Sequence, residues 1–194
     1  MDKTVFKGSA MLSPVPPVMV SCGDGENINV FTVAWTGTMC TSPPITYISV
    51  RPSRYSYGLI EKSGEFVINL VPRRLAAVCD SCGVVSGRDI NKFEKYSLTP
   101  QKGVLECAPI IAECPVNIEC KVSQKLSLGT HDVFIAEIVR VNVADELIDK
   151  KGAIALWKAD LIAYAHGSYY TLGSHIGKFG FSVQKKKKNR RRPR

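Results

Sequence analysis

No stretch of the 194-residue chain approaches the roughly 18 consecutive apolar residues that a membrane-crossing helix needs, which excludes a helical membrane span. Nor is there the uninterrupted apolar core of an export signal, because Pro14, Pro16 and Pro17 break up the N-terminal region where it would lie. The βαβα alternation of a doubly wound sheet is missing, together with its G-x-G-x-x-G fingerprint, so a dinucleotide held on such a sheet is not expected. No internal repeat is present, which sets aside solenoids and propellers. Acidic residues are absent from 185–194, KKKKNRRRPR, whose eight cations account for almost all of the formal charge of +9. Nine minus eight leaves the rest of the chain at +1, so there is no basic domain face of the kind that marks nucleic-acid binding, and nucleic acid is not an expected partner.

What remains is ordinary for a globular protein: 45% hydrophobic and 22% charged residues. The length suits one domain, read here as residues 1–183, with 184–194 a solvated basic tail. Seven cysteines in a chain of this size, an odd number with no export signal, point to a reducing compartment and hence the cytoplasm.

Turn-forming GDGEN and TSPP separate three strand-like segments, PVMVSC, NVFTVAWTG and ITYISV, which open a β-meander. Ser53 is placed as N-cap to a helix over RYSYGLIEK, and EFVINL returns as a strand. RRLAAVCDSCG reads as a second short helix ending at Gly83, and SGRDINKFEKYSLTP as a polar, turn-rich stretch outside the core, lying on the surface or over a site. In the second half Val116, Ile118, Cys120 and Val122 alternate with Asn117, Glu119, Lys121 and Ser123, the pattern of a strand with one wet face. VFIAEIVRVNV is apolar on both alternating sets, which calls for cover on both faces by a helix or a second subunit. LIAYAH and SYYTLG supply the last strands. Many short strands with a few helices predict a mainly β fold, a barrel with peripheral helices.

Two segments could carry chemistry. Arg51 and Arg54 flank Ser53 ahead of Ser56 at a predicted helix start, where N–H groups, guanidinium groups and hydroxyls suit an anion. The same residues equally suit a plain helix cap on the surface. Thr32, Ala34, Trp35 and Thr36 end a strand that runs into a glycine turn and could wall a flat ring, although tryptophan is more often a core residue. The C-x-x-C at Cys79 and Cys82 reads as a redox dithiol, half of a metal site, or two structural thiols. No second close pair accompanies it, and Cys120 reads as a small buried hydrophobe, so no metal site is expected.

Taken in order, NVFTVAWTG, TSPP, SVRPSRYSYGLIEK, FVINL, SGRDINKFEK, APIIAECPVNIECKV, HDVFIAEIV and YYTLGSHIGKFGFS resemble the flavin reductase-like family that includes flavoredoxins, over most of residues 17–182. The resemblance implies an FMN-binding split β-barrel, a homodimer with flavin near the subunit interface, and electron exchange with NAD(P)H or a redox protein partner. It places Thr32, Val33, Ala34, Trp35 and Thr36 against the isoalloxazine ring. Ser49, Val50 and Arg51, with Arg54, Ser56 and Tyr57, would hold ribityl and phosphate, and Gly87, Arg88 and Lys92 would complete the phosphate end. His131, in THDVF, matches a histidine on the nicotinamide side and is the candidate catalytic residue, against the plainer reading of a strand-end histidine making one hydrogen bond. The basic tail is where the chain departs from the family pattern.

Overall fold

The computed structural model describes residues 1–183; the expected basic tail lies outside the described residues. Eleven strands run in chain order: β1 Val18–Gly23, β2 Ile28–Val33, β3 Thr36–Thr41, β4 Pro44–Val50, β5 Glu65–Leu70, β6 Pro100–Gln101, β7 Ile110–Ile111, β8 Val116–Ser127, β9 Asp132–Val143, β10 Ile162–Ala165 and β11 Ser168–Thr171. Three α-helices interrupt them: α1 Tyr55–Ser63, α2 Ala76–Val84 and α3 Lys92–Lys95. Seven strands form one antiparallel sheet in the order β2-β1-β5-β8-β9-β4-β3. Its two edge strands, β2 and β3, are consecutive in the chain and joined by Ala34 and Trp35 alone. A two-residue joint cannot span a flat seven-stranded sheet, so the sheet curls until its edges converge, and the fold is a barrel split at that seam.

The barrel is filled by alternate side chains of its strands, among them Val20, Phe31, Ile48, Phe66 and Phe134, and α1 adds Tyr57, Leu59 and Ile60. Phe66 and Phe134 are fully buried, each stabilising the fold by about 2–3 kcal/mol through apolar area removed from water. Outside β1 and β2, a second core joins Met19 and Val30 to Cys79 and Cys82 of α2, Phe93 of α3, and Leu98.

Several expectations are corrected. NVFTVAWTG is not one strand: it breaks at Ala34–Trp35, and TGTMCT forms β3 on the opposite edge, which local periodicity cannot reveal. Ser53 does not cap α1; Arg54 occupies the N-cap with extended backbone and no side-chain cap bond. The polar stretch after Gly83 is not wholly superficial: Asn91 caps α3 by accepting from Phe93 N and Glu94 N, and Phe93 and Leu98 enter the second core. The wet face assigned to β8 is covered at Asn117 and Glu119. Glu119 is fully buried and accepts from Val104 N at 2.7 Å, Leu105 N at 3.1 Å and Asn142 Nδ2 at 2.8 Å. Asn117 Nδ2 donates to Asn69 Oδ1 and Ile111 O. A polar residue can face a covering loop whose unpaired N–H groups it satisfies, and the alternation looks the same as for a solvated face. On β9, Phe134, Ile135 and Ala136 are buried, but Val139 and Val141 stand 41% and 49% exposed in the single chain.

Candidate functional site

At the barrel seam two concavities adjoin, a larger one of about 720 Å³ and a smaller one of about 280 Å³, sharing Phe31, Arg51, Arg54 and Val84 in their walls. Thr32, Val33, Ala34, Trp35, Ser49, Val50, Arg51, Arg54 and His131 all line the larger. Arg51, Arg54, Ser56, Gly87, Arg88 and Lys92 line the smaller. The joint that closes the barrel is therefore also the wall of the site: β2 ends as the chain turns away at Ala34–Trp35, and β4 ends beside it, with Ser49 N donating to Trp35 O at 2.9 Å.

Two expected residues lie elsewhere. Thr36 lines neither concavity; its hydroxyl donates to Tyr47 O at 2.6 Å and secures the β3–β4 pairing. Tyr57 also lines neither: its ring packs 5.2 Å from Phe134 in the barrel core, and its hydroxyl donates to Asp132 Oδ2 at 2.6 Å. Helical spacing carries Tyr57 to the core side of α1, whereas Ser56 turns to the cradle and accepts from Asn29 Nδ2 at 2.8 Å.

The smaller concavity is a cationic cradle. Arg51, Arg54, Arg88 and Lys92 are among its lining residues, and no carboxylate is. Arg54 Nη1 donates to Gly83 O at 2.8 Å near the end of α2, and Arg88 Nη1 to Ser53 O at 3.3 Å, with its guanidinium 5.7 Å from the Tyr55 ring centroid. Lys92 is 3% exposed and donates to Val30 O at 2.9 Å and Cys82 O at 2.8 Å; burial holds its pKa below the ordinary lysine range. Clustered cations with no acid to balance them call for an anion of more than one charge, such as a phosphate monoester.

Trp35 and His131 shape the larger cavity. Their ring centroids lie 4.7 Å apart at 43°, and Trp35 is half-exposed rather than a core tryptophan. Arg51 Nε donates to His131 Nε2 at 3.4 Å, and Thr130 Oγ1 lies 3.0 Å from His131 Nδ1. Burial, then the charges of Arg51 and Arg54, push the His131 pKa below its ordinary value. Sequence reasoning missed most of the far wall: Leu12 and Val15 before β1, Asp80 on α2, and Tyr164 and Tyr169 of the β10–β11 hairpin; His166 of that hairpin, open to a place at the rim from its position near the last strands, lines it too. His166 adopts a left-handed φ of 48° at that hairpin's tip, ahead of Gly167. A histidine–glycine pair between two strand patterns was the available signal for a tight turn there.

The C-x-x-C does not open onto chemistry of its own. Cys79 and Cys82 are both fully buried in the second core, where burial pushes their pKa values up to about 12 and about 11. Thr32 Oγ1 donates to the carbonyl of Cys79, so α2 and its cysteines brace the β2 wall.

A split barrel whose seam holds an aromatic-walled cavity opening into an acid-free cationic cradle defines a class of proteins that can seat a flat ring with an anionic tail. The chain belongs to the flavin reductase-like family, whose domain matches residues 11–173. It is 35% identical over 126 residues to an uncharacterized protein of Archaeoglobus fulgidus, covering 65% of this chain and 71% of that one. An FMN reductase (NADH) RutF of Bradyrhizobium diazoefficiens is 21% identical over 121 residues, 61% of this chain and 65% of that protein, so less than two thirds of its length is spanned. Among solved structures, the flavoredoxin of Desulfovibrio vulgaris (Miyazaki F) superposes with a TM-score of 0.86 at 29% identity, over 94% of this chain and 99% of that one. An FMN-binding protein from Thermus thermophilus, at 23% identity, shares the fold with a TM-score of 0.77, covering 92% of this chain and 99% of that one.

Proposed function

We propose that the protein is an FMN-dependent oxidoreductase that passes hydride or electrons between NAD(P)H and flavin or a downstream acceptor. The observation that carries this reading is the junction of the two concavities at Arg51 and Arg54, with an acid-free cradle on one side and the Trp35 wall on the other. The cradle suits a terminal phosphate, and the larger cavity falls within the range of about 300–1,000 Å³ usual for small-molecule sites. FMN would supply hydride acceptance at its own ring nitrogen, so the chain needs no proton-relay triad.

What the chain contributes is placement. Arg51, Arg54, Arg88 and Lys92 would bind the phosphate, Ser56 would accept or donate one further hydrogen bond, and Gly87 lets its loop lie close against Asn29, which holds Ser56. Thr32 to Trp35 would line one edge of the ring, with Trp35 and His131 limiting the water that reaches it. In the cytoplasm, where the seven free thiols would stay reduced, a second copy of the chain would cover Val139 and Val141 on β9.

The flavoredoxin likeness, at 29% identity over nearly the whole chain, favours a second reading: an FMN electron carrier between protein partners, without nicotinamide-dependent activity. An anaerobic titration of the FMN-loaded protein with NADH and with NADPH separates the two. Bleaching of the oxidised flavin band within the turnover time supports the oxidoreductase and names its donor. A flavin reduced by dithionite and by neither nucleotide supports the carrier, and failure to bind FMN at all overturns both.

A further inference from the structure

We propose that His131 is a positioning residue: as the neutral imidazole it holds Arg51 at the junction of the two concavities, and on protonation it lets Arg51 go. The inference deepens the reading of the cradle as a phosphate site and rests on that reading for its ligand, but not for its geometry.

The hydrogen bonding fixes the tautomer. Arg51 carries no acceptor, so the 3.4 Å contact from its Nε requires a lone pair on His131 Nε2. The ring proton of the neutral imidazole then sits on Nδ1, where Thr130 Oγ1, 3.0 Å away, accepts it. Trp35 packs against the ring at a tilt, with centroids 4.7 Å apart at 43°, which hinders its turning away from these two contacts. Arg51 follows the end of β4, and its side chain is otherwise exposed. Among the described residues, His131 is the one hydrogen-bond partner of that guanidinium.

The groups that bear on His131 come from four sides. Arg51 faces it from the end of β4 and Arg54 from the start of α1, both cationic. Next to it in the chain, at the start of β9, Asp132 adjoins it, but that carboxylate accepts from Tyr57. Across the larger cavity stand Asp80 of α2 and His166 of the β10–β11 hairpin. Burial first, and then the two guanidinium charges, disfavour the protonated ring and keep it neutral near pH 7.

Protonation has two consequences of opposite sign. A new positive charge beside the cradle would by itself tighten an anion. The same proton turns Nε2 from acceptor into donor, breaks the Arg51 contact and frees a long side chain. Guanidinium recognition of phosphate depends on orientation, whereas a charge on a partly exposed ring is screened by solvent, so release of Arg51 wins and FMN binding weakens toward acid pH.

The test is FMN binding, by quenching of flavin fluorescence, for wild type, His131→Gln and His131→Leu from about pH 5 to about pH 8, a window that brackets the ordinary histidine pKa. Glutamine keeps an acceptor near the position of Nε2 and does not titrate. At the upper pH His131→Gln should bind like wild type and His131→Leu about tenfold more weakly, as expected for one lost hydrogen bond to a charged group. On acidification wild type should fall to the level of His131→Leu, while His131→Gln shows only the decline from the phosphate's own protonation near about pH 6.

Tighter binding of wild type at acid pH, or the same pH profile for wild type and His131→Gln, would overturn the proposal. A second arm needs no flavin: nitrogen NMR of ligand-free protein should show the Nδ1–H tautomer, and Arg51→Ala should raise the His131 pKa. An Nε2–H tautomer would sink the positioning role. Absence of FMN binding by wild type would instead sink the phosphate reading, leaving the NMR arm to decide the rest.

Discussion

Gly87 stands directly against the side chain of Asn29: a Cβ on Gly87 would fall 2.4 Å from Asn29 Oδ1 and 2.6 Å from its Cγ. No real Cβ sits so close to a neighbour, and the neighbour here has its own duty. Asn29 Nδ2 holds the Ser56 hydroxyl at 2.8 Å, joining β2, the loop after α2 and the first turn of α1 into one side of the cradle.

Replacing Gly87 by alanine should therefore push Asn29 out of line, and with it Ser56. Overpacking of this kind costs about 1–3 kcal/mol, felt here chiefly in the cradle. The expected outcome is FMN binding weakened by about tenfold or more, with riboflavin, which lacks the phosphate, affected far less. Binding of both flavins measured side by side decides it: equal loss for the two would place the damage in the barrel, and no loss for either would remove Gly87 from the site.

The sequence made much of this site legible because its chemistry sits in short contiguous runs. Thr32 to Trp35 and Ser49 to Arg51 straddle the ends of β2 and β4, and Gly87 with Arg88 comes just after α2, all lining the concavities at the seam. What stayed hidden depends on pairing at long range. The break at Ala34–Trp35 is dictated by β2 and β3 lying on opposite edges of the sheet, and nothing local distinguishes a bent strand from two strands. Tyr57 shares a motif with Ser56 but faces the other way, because adjacent residues on a helix point about 100° apart. Asn117 and Glu119 looked solvated because polar residues that satisfy a covering loop have the same alternation as polar residues in water.

The double-sided apolar pattern of β9 leads to a prediction about assembly. Phe134 and Ala136 enter the barrel, while Val139 and Val141 remain 41% and 49% exposed. Val141→Glu should leave the barrel core untouched and place a charge where a second copy would seat. Sedimentation at micromolar concentration should show wild type as a dimer and the variant shifted toward monomer, with an unchanged thermal transition once dissociated. A monomeric wild type would remove the homodimer, and a variant that stays dimeric would move the interface off β9.

The buried cysteines give a pH dependence whose sign is fixed by their environment. Cys22, Cys79, Cys114 and Cys120 have pKa values pushed up to about 12 and Cys82 to about 11, in each case by burial first. In the unfolded chain these thiols ionise near an ordinary pKa of about 8.5. A group whose folded pKa is raised holds its proton longer in the native state, so its contribution to stability is complete below about pH 8.5 and is lost as pH rises toward the folded value. Urea midpoints should therefore fall between about pH 9 and about pH 11, and Cys79→Ala with Cys82→Ala should make that fall shallower, since each removes one differential proton. The thiolate is also the reactive form, so at about pH 8 a disulfide reagent should modify only the partly exposed Cys40 and Cys107 in the native protein, and all seven cysteines after unfolding. Rapid native-state labelling of Cys82, or an oxidised Cys79–Cys82 bridge that changes the rate of flavin reduction, would restore the redox reading of the pair.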